Sequence, residues 1–360
     1  MNEITRTVST ALQSLRQQET TSRLAAEISN ASYEVTTGLK ARPYEALGHK
    51  SADAIAIRMQ IVRNDGFLAS NKQLDRRFLA VENALGSIRE AGQDVLETAL
   101  FAQTSAAPSS AFLMQSARSA LDTLVDRSAA SDSSGFLMSG TRSDVKPLQA
   151  WDVPNPETGM SPKGVVDELL AGGVNTMADV EAGIAALKAA FGDADTANPD
   201  RNFEATFYNG SPAKDVAGQP NPPLMARISQ TETMAQTAQA NAPAMRDLMR
   251  GLAMLSAVDA NQIADPAARE AWMDEARDAI STGLGGLTAM ETDTGLRRTR
   301  LADIITSQQS RASFLDGEQL LLEGADQYEA ATRLTQLQTQ LESSYAVTAR
   351  LSRMSFLNYL

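Results

Sequence analysis

The stretch "FLASNKQLDRRFLAVENALGSIREAGQDVLETALFAQ", residues 67–103, carries a seven-residue repeat of apolar side chains that is interrupted only at Asn71 and Gly92. Apolar residues spaced three and four positions apart lie on one face of a helix. A repeat sustained over several heptads is typical of a long helix that packs lengthwise against another. The repeat positions are Phe67, Leu74, Phe78, Val81, Leu85, Ile88, Val95, Ala99 and Ala102.

Two further runs have the same spacing. One passes through Leu113, Ala117, Leu121 and Leu124. The other follows Pro266 through Met273, Ala276, Ile280, Leu284, Leu287 and Leu301. The three runs predict long helices that pack as one bundle, although they lie on both sides of a different middle segment.

Both ends of the chain carry an amphipathic stripe. The N-terminal stripe slips in phase between Leu15 and Leu24, as a stutter does in a heptad pattern. Gly38 and Pro43 predict the end of this helix. We expect the two terminal helices to pair and to be buried in an assembly. The predicted interface consists of Val8, Leu12, Leu15, Leu24, Ile28, Val35, Leu334, Leu337, Leu341, Leu351, Phe356, Leu357 and Leu360.

The middle of the chain differs in composition. From Asp144 to Glu232 it holds nine of the 13 prolines, with 13 acidic and six basic residues. Proline blocks helix interiors, so the preceding helices are expected to stop here. The runs "VVDELLAGG" and "DVEAGIAALKAAFG" predict short helices, and "NFEATFYNG" predicts a strand that enters a hairpin turn. We therefore expect a small α+β insertion that faces outward.

These patterns predict a mainly α protein: a long antiparallel helical rod with coiled-coil-like termini and a small α+β insertion domain. The predicted terminal domain comprises residues 1–42 and 318–360. The helical rod domain comprises residues 43–145 and 234–317, and the insertion comprises residues 146–233.

Composition argues against several functional classes. The absence of cysteine excludes disulfides and thiolate chemistry, and His49 is the single histidine, so we expect no metal site, no cofactor and no catalytic activity. The formal net charge of −12 argues against nucleic acid and anionic membranes as partners. The N-terminal residues lack the apolar region of a secretory signal, and no window is apolar enough to predict membrane insertion.

Four stretches resemble the flagellin superfamily, in particular its members at the junction of hook and filament. They are "RLAAEISNASYEVTTGLKARP" (23–43), "SNKQLDRRFLAVENALGSIREAGQDVLE" (70–97), "LVDRSAASDSSGFLMSGTRSDVKPL" (124–148) and "AATRLTQLQTQLESSYAVTARLSRMSFLNYL" (330–360). They resemble, in order, the end of the family's first helix, its first long rod helix, a helix-to-strand segment of junction proteins, and the C-terminal helix.

The resemblance implies a structural subunit of the bacterial flagellum that self-assembles into a helical ring between hook and filament. It implies secretion through the type III export apparatus with an export chaperone, and contacts with an adjacent hook-associated protein and with flagellin. Filament flagellin itself is the alternative, because it shares both terminal helices. An enzyme sited in the middle segment is a weaker alternative, because that segment has neither histidine nor cysteine.

One cluster in the middle segment could suggest a calcium site. Asp193, Asp195 and Asp200 are close in sequence, but no EF-hand spacing accompanies them. A solvated acidic loop is the expected structure there.

Overall fold

A computed structural model describes residues 10–101, 110–215 and 217–357. Helices make up 71% of the structure, and the described residues form two small antiparallel sheets. Long helices pack against each other, which confirms the predicted mainly α class. The helices are α1 Thr10–Thr37, α2 Pro43–Leu47, α3 Ser51–Phe101, α4 Ser110–Ser128, α5 Pro162–Leu169, α6 Met177–Phe191, α7 Pro243–Ala257, α8 Pro266–Glu323 and α9 Gln327–Leu357. The strands are β1 Ser131–Asp132, β2 Gly135–Phe136, β3 Leu224–Arg227 and β4 Thr233–Gln236.

The chain forms two compact units. The first, which we call the terminal unit, takes its described residues from 1–68 and 307–360. The second, the central unit, takes them from 69–306. The division into three domains that the sequence suggested stays a prediction.

In the central unit, the heptad positions of α3 and α8 form the core. Leu85, Ile88 and Val95 of α3 are at most 1% exposed, as are Ile280 and Leu287 of α8. Arg89 bonds Glu291 at 3.1 Å, and Arg298 reaches both Asp75 (3.2 Å) and Glu82 (2.6 Å). Residue numbers rise along one helix as they fall along the other, so the two helices run antiparallel here.

The two interruptions of the α3 repeat have structural reasons. Asn71 is 1% exposed, and its amide donates to the carbonyl oxygen of Ile228 at 2.8 Å. A side chain on Gly92 would lie 3.0 Å from both Leu248 and Leu284, so glycine permits close packing of the helices there. Both residues therefore stay on the buried face of the heptad pattern.

Close approach also explains Gly283 of α8 and Gly251 of α7. A Cβ at Gly283 would lie 2.5 Å from the backbone nitrogen of Leu248, and one at Gly251 would lie 2.6 Å from Ile280. Because these two glycines have no side chain, α7 and α8 pack with their backbones close together.

The middle segment shares the core of the central unit. Its buried aromatic residues include Trp151, Phe191 and Phe203, in one cluster with α4, α7 and α8. Trp272 of α8 is fully buried, and its ring lies 3.8 Å from the position that a Cβ on Gly183 of α6 would occupy. The described residues of 146–233 thus pack into the same core as α4, α7 and α8.

The strand predicted in "NFEATFYNG" is wrong. Phe203–Phe207 forms a short π-helix, and the rings of Phe203 and Phe207 stack at 5.4 Å with an 8° angle between their planes. Phe203 and Phe207 are four positions apart, and this separation places two side chains on one face of a strand or on one side of a helical turn. Because both rings are buried on the same side and stack, the helical turn is favoured. Asn209 accepts from the Asn155 amide at 2.9 Å and does not form a hairpin turn.

The hairpin of this region lies later in the chain. Strands β3 and β4 pair antiparallel, with Met225 opposite Ala235 and Ala226 opposite Met234. Ile228 and Met234 are buried with Leu74, Phe78 and Leu301. The hairpin therefore covers the seam between α3 and α8.

Candidate assembly surface

Two short backbone segments hold the base of the terminal helices together. Leu39 and Gly324 form an antiparallel bridge, in which the Lys40 amide donates to the Glu323 carbonyl oxygen at 2.7 Å. Gly38 has φ +70° directly after α1, and its amide donates to the Glu34 carbonyl oxygen at 2.9 Å. This is the glycine end of the helix that the sequence predicted.

An ion pair between a half-exposed arginine and a buried carboxylate lies beside this bridge. The Glu323 side chain is 1% exposed, and its carboxylate accepts from Arg58 Nε at 2.8 Å and Nη2 at 2.6 Å. Gln319 donates a further hydrogen bond at 3.0 Å. The hydrogen bond to Glu323 raises the pKa of Arg58 above its ordinary value, although desolvation opposes it. The pair fastens the end of α8 to the start of α3.

The helices α1 and α9 pack antiparallel along a narrow stripe. Leu24, Ala31 and Leu337 are buried, and Ile28, Leu334 and Leu341 pack against them. At one end Arg333 lies 3.5 Å from Glu34, and at the other Gln17 donates to Thr348. The buried core of this pair is small: among the described side chains of α1 and α9, the buried ones are Leu24, Ala31, Ala330 and Leu337.

The predicted interface residues divide into groups. The structure brings five together: Leu24, Ile28, Leu334, Leu337 and Leu341. Val35 is half-buried, while Leu12 and Leu15 are 44% and 62% exposed. Three further interface residues lie in α9, but the structure does not describe their side chains: Leu351, Phe356 and Leu357. Val8 and Leu360 lie outside the described residues.

Leu12 and Leu15 are exposed because α1 continues without a break through the phase slip. At about 100° per residue, they lie roughly 120° to 180° around the helix from Leu24. The pair also exposes Tyr33, Tyr345 and Val347, each between 46% and 57%. The helices α1 and α9 thus bury one apolar face against each other and leave further apolar side chains exposed to solvent.

Sequence reasoning missed exposed apolar residues on the long helices of the terminal unit. On α3 these are Ile55, Met59 and Val62, at 46%, 58% and 72% exposure. On α8, Phe314 and Leu321 are 64% and 82% exposed. The signal was available, because 55 and 62 are seven residues apart, as are 314 and 321.

Two acidic residues of the middle segment, Asp193 and Asp195, accept hydrogen bonds from nearby backbone amides. Asp193 has φ +57°, and its carboxylate accepts from the Glu204 amide at 2.8 Å and pairs with Arg246. Asp195 accepts from the amides of Ala197 and Asn198. Among the described residues no group of His, Cys, Asp or Glu is placed to hold a metal ion.

Residues 278–360 match the family model of the bacterial flagellin C-terminal helical region. The C-terminal region of this chain is flagellin-like. It comprises most of α8 and all of α9, so it includes Leu334, Leu337 and Leu341. The flagellin-like region also includes Glu323 and the exposed Phe314 and Leu321.

Other comparisons add less. A protein from Vibrio parahaemolyticus that is provisionally described as a flagellar hook-associated protein has a solved structure with 12% sequence identity and a TM-score of 0.49. The overlap covers 77% of this chain and 98% of that protein, and we draw no conclusion from it. No curated protein matches the sequence. No helix among the described residues is long and apolar enough to cross a membrane.

The stripe between α1 and α9 can be tested by mutation. Leu337→Asp places a charge at a position that is 7% exposed, where an unpaired carboxylate costs several kcal/mol. We expect α1 and α9 to separate while the central unit melts at an unchanged temperature, as measured by circular dichroism and proteolysis of both ends. Gln340→Asp adds the same charge at an exposed position of α9 and should leave both ends protected. A lower melting temperature of the central unit in Leu337→Asp would contradict this account.

Proposed function

We propose that this chain is a structural, non-enzymatic subunit of the bacterial flagellum that forms the ring between hook and filament by helical self-assembly. The observation that carries the proposal is the flagellin-like region at residues 278–360, whose helix α9 pairs with α1 and leaves apolar side chains exposed. The partners are other copies of this chain, an adjacent hook-associated protein and flagellin.

The pair of α1 and α9 has a small buried core, which supports the proposal that contacts with other copies stabilise it. Four buried residues among the described side chains are few for two helices of 28 and 31 residues, because helical stability in proteins comes mostly from packing of an apolar face. Neighbouring copies would supply the missing contacts. Contacts that are head-to-tail and repeat through a fixed rotation produce rings or helical tubes.

The charge distribution supports an outward position for residues 146–233. The 13 acidic residues against six basic ones between Asp144 and Glu232 would repel a neighbouring copy at close range. Solvent and salt screen such charges within about 8–10 Å on an outer surface. The assembly surface is thus assigned to the terminal unit.

The position at the junction is favoured by one stretch. Residues 135–148, "GFLMSGTRSDVKPL", resemble junction proteins, and they include strand β2 and the buried Leu137 and Met138. Gly140 has φ +66°, and a Cβ there would lie 2.0 Å from Ser211 Oγ, so the turn after Met138 requires glycine. Flagellin, the filament subunit itself, is the second candidate, because the C-terminal match applies equally to it.

Immunogold labelling of isolated flagella separates these candidates. We expect gold in one band where the hook meets the filament. Label along the whole filament would instead identify the chain as the filament subunit. Label confined to the cell body would contradict a flagellar role, including export through the type III apparatus and its chaperone.

A further inference from the structure

Two short connections join the α1 and α9 pair to the other helices of the terminal unit, and each begins with a glycine. Gly38 follows α1 with φ +70°, and Gly324 follows α8 directly. A Cβ on Gly324 would lie 2.3 Å from the carbonyl oxygen of Leu320, so no side chain fits there. Hinges in proteins are a few residues at the ends of elements whose backbone angles change. The two glycines therefore mark a candidate hinge.

One arginine contacts the residues beside both connections. Arg58 of α3 donates to the Glu323 carboxylate at 2.6 and 2.8 Å, and Glu323 is the last residue before the second connection. The Arg58 guanidinium also lies over the Tyr44 ring, 5.5 Å from its centroid. Tyr44 belongs to α2, which follows the first connection. Both contacts are attractive, so Arg58 ties the two connections to α3.

The bridge between the connections does not by itself fix the direction of the α1 and α9 pair. It contains two backbone hydrogen bonds, from Lys40 to Glu323 at 2.7 Å and from Ala325 to Gly38 at 2.8 Å. These bonds hold the connections to each other, and neither of them reaches α3. The direction of the pair relative to α3 therefore depends on side-chain contacts.

A groove of about 730 Å³ lies beside the hinge. It is lined by side chains of the pair, such as Asn30 and Glu329, and by side chains next to the first connection, such as Arg42 and Glu45. The apolar core of the pair consists of residues from α1 and α9. The pair therefore has room to turn beside α2 while its own core stays packed.

We propose that Arg58 and Glu323 form a latch that fixes the direction of the α1 and α9 pair within the terminal unit. Gly38 and Gly324 are the hinge about which the pair turns when the latch is open. The latch thus orients the exposed side chains of the pair toward a neighbouring copy. This effect on assembly rests on the proposed function, whereas the latch itself belongs to the single chain.

Spin labels measure this direction, because the chain contains no cysteine and engineered cysteines alone carry the labels. Ala25 of α1, Gln309 of α8 and Gln340 of α9 are exposed. Gln309→Cys with Gln340→Cys spans the hinge, and these sites lie about 22 Å and about 24 Å from Gly324 along their helices. Ala25→Cys with Gln340→Cys spans the pair. In the purified chain, we expect narrow distance distributions from both label pairs by double electron–electron resonance.

Glu323→Ala opens the latch without leaving a buried carboxylate. We expect the distribution across the hinge to become about twice as wide or wider, while the distribution within the pair stays narrow. Arg58→Lys keeps the charge but not the planar fork, so it should widen the distribution across the hinge by less. Asp316→Ala removes an exposed carboxylate of the same helix and should leave both distributions as in wild type.

Three results would overturn the latch. One is an unchanged distribution across the hinge in both Glu323→Ala and Arg58→Lys. Another is a broad distribution across the hinge already in wild type. The third is a loss of the narrow distribution within the pair in these variants, because the contact would then hold α1 to α9 instead of setting their direction. Since the purified chain is measured, each of these failures leaves the proposed function intact, and absence of the chain from flagella would leave the latch intact.

Discussion

Trp272→Ala is expected to lower the free energy of unfolding of the central unit by about 3–5 kcal/mol. Trp272 is fully buried in the cluster that joins α8 to the middle segment. Removing the indole leaves a cavity that the surrounding helices can fill only in part. Urea unfolding followed by circular dichroism measures the change, and Trp151 remains as a fluorescent probe.

The matched control is Leu296→Ala, on the same helix at 66% exposure. It should change the free energy of unfolding by less than about 0.5 kcal/mol, as surface substitutions usually do. If Trp272→Ala lowered the free energy of unfolding as little as Leu296→Ala does, the middle segment and α8 would not share a core.

Arg58→Ala is expected to destabilise the terminal unit by about 3 kcal/mol, because it leaves the carboxylate of Glu323 buried without its charge partner. Exchange of amide hydrogens near the start of α3 and the end of α8 should quicken about a hundredfold. Adding Glu323→Gln should recover part of the loss, since it removes the buried charge.

Arg63→Ala is the control for this change. Arg63 is an exposed arginine of the same helix without an ion pair among the described residues, so exchange should stay near the wild-type rate. If Arg58→Ala behaved like Arg63→Ala, the ion pair would contribute nothing to holding α3 and α8 together.

Heptad spacing predicted the long helices well because burial along a packed helix imposes that period. Even Asn71 and Gly92, which broke the apolar pattern, remain on the buried face. The pattern at Phe203 and Phe207 was ambiguous, because two aromatic residues four positions apart fit a helical turn as well as a strand. Tertiary packing of the rings decided between them.

The candidate site was predicted only in part. The stripe through Leu24 and Leu337 followed from helix periodicity, whereas Leu12 and Leu15 lie on another face because α1 does not break at the phase slip. The exposed apolar residues of α3 and α8 in the terminal unit, such as Met59 and Phe314, were overlooked because each shares a helix with a stronger buried repeat. Their seven-residue spacing can be read in the sequence, but burial shows that they lie away from the buried face of each helix.

Attachment of filaments in a strain that lacks this gene tests the central claim most directly. The measurement is the fraction of cells with filaments by electron microscopy, together with the amount of flagellin in the medium. A junction subunit predicts hooks without filaments and abundant unattached flagellin, both restored by the wild-type gene. Normal attached filaments and no excess flagellin in the medium would contradict the account.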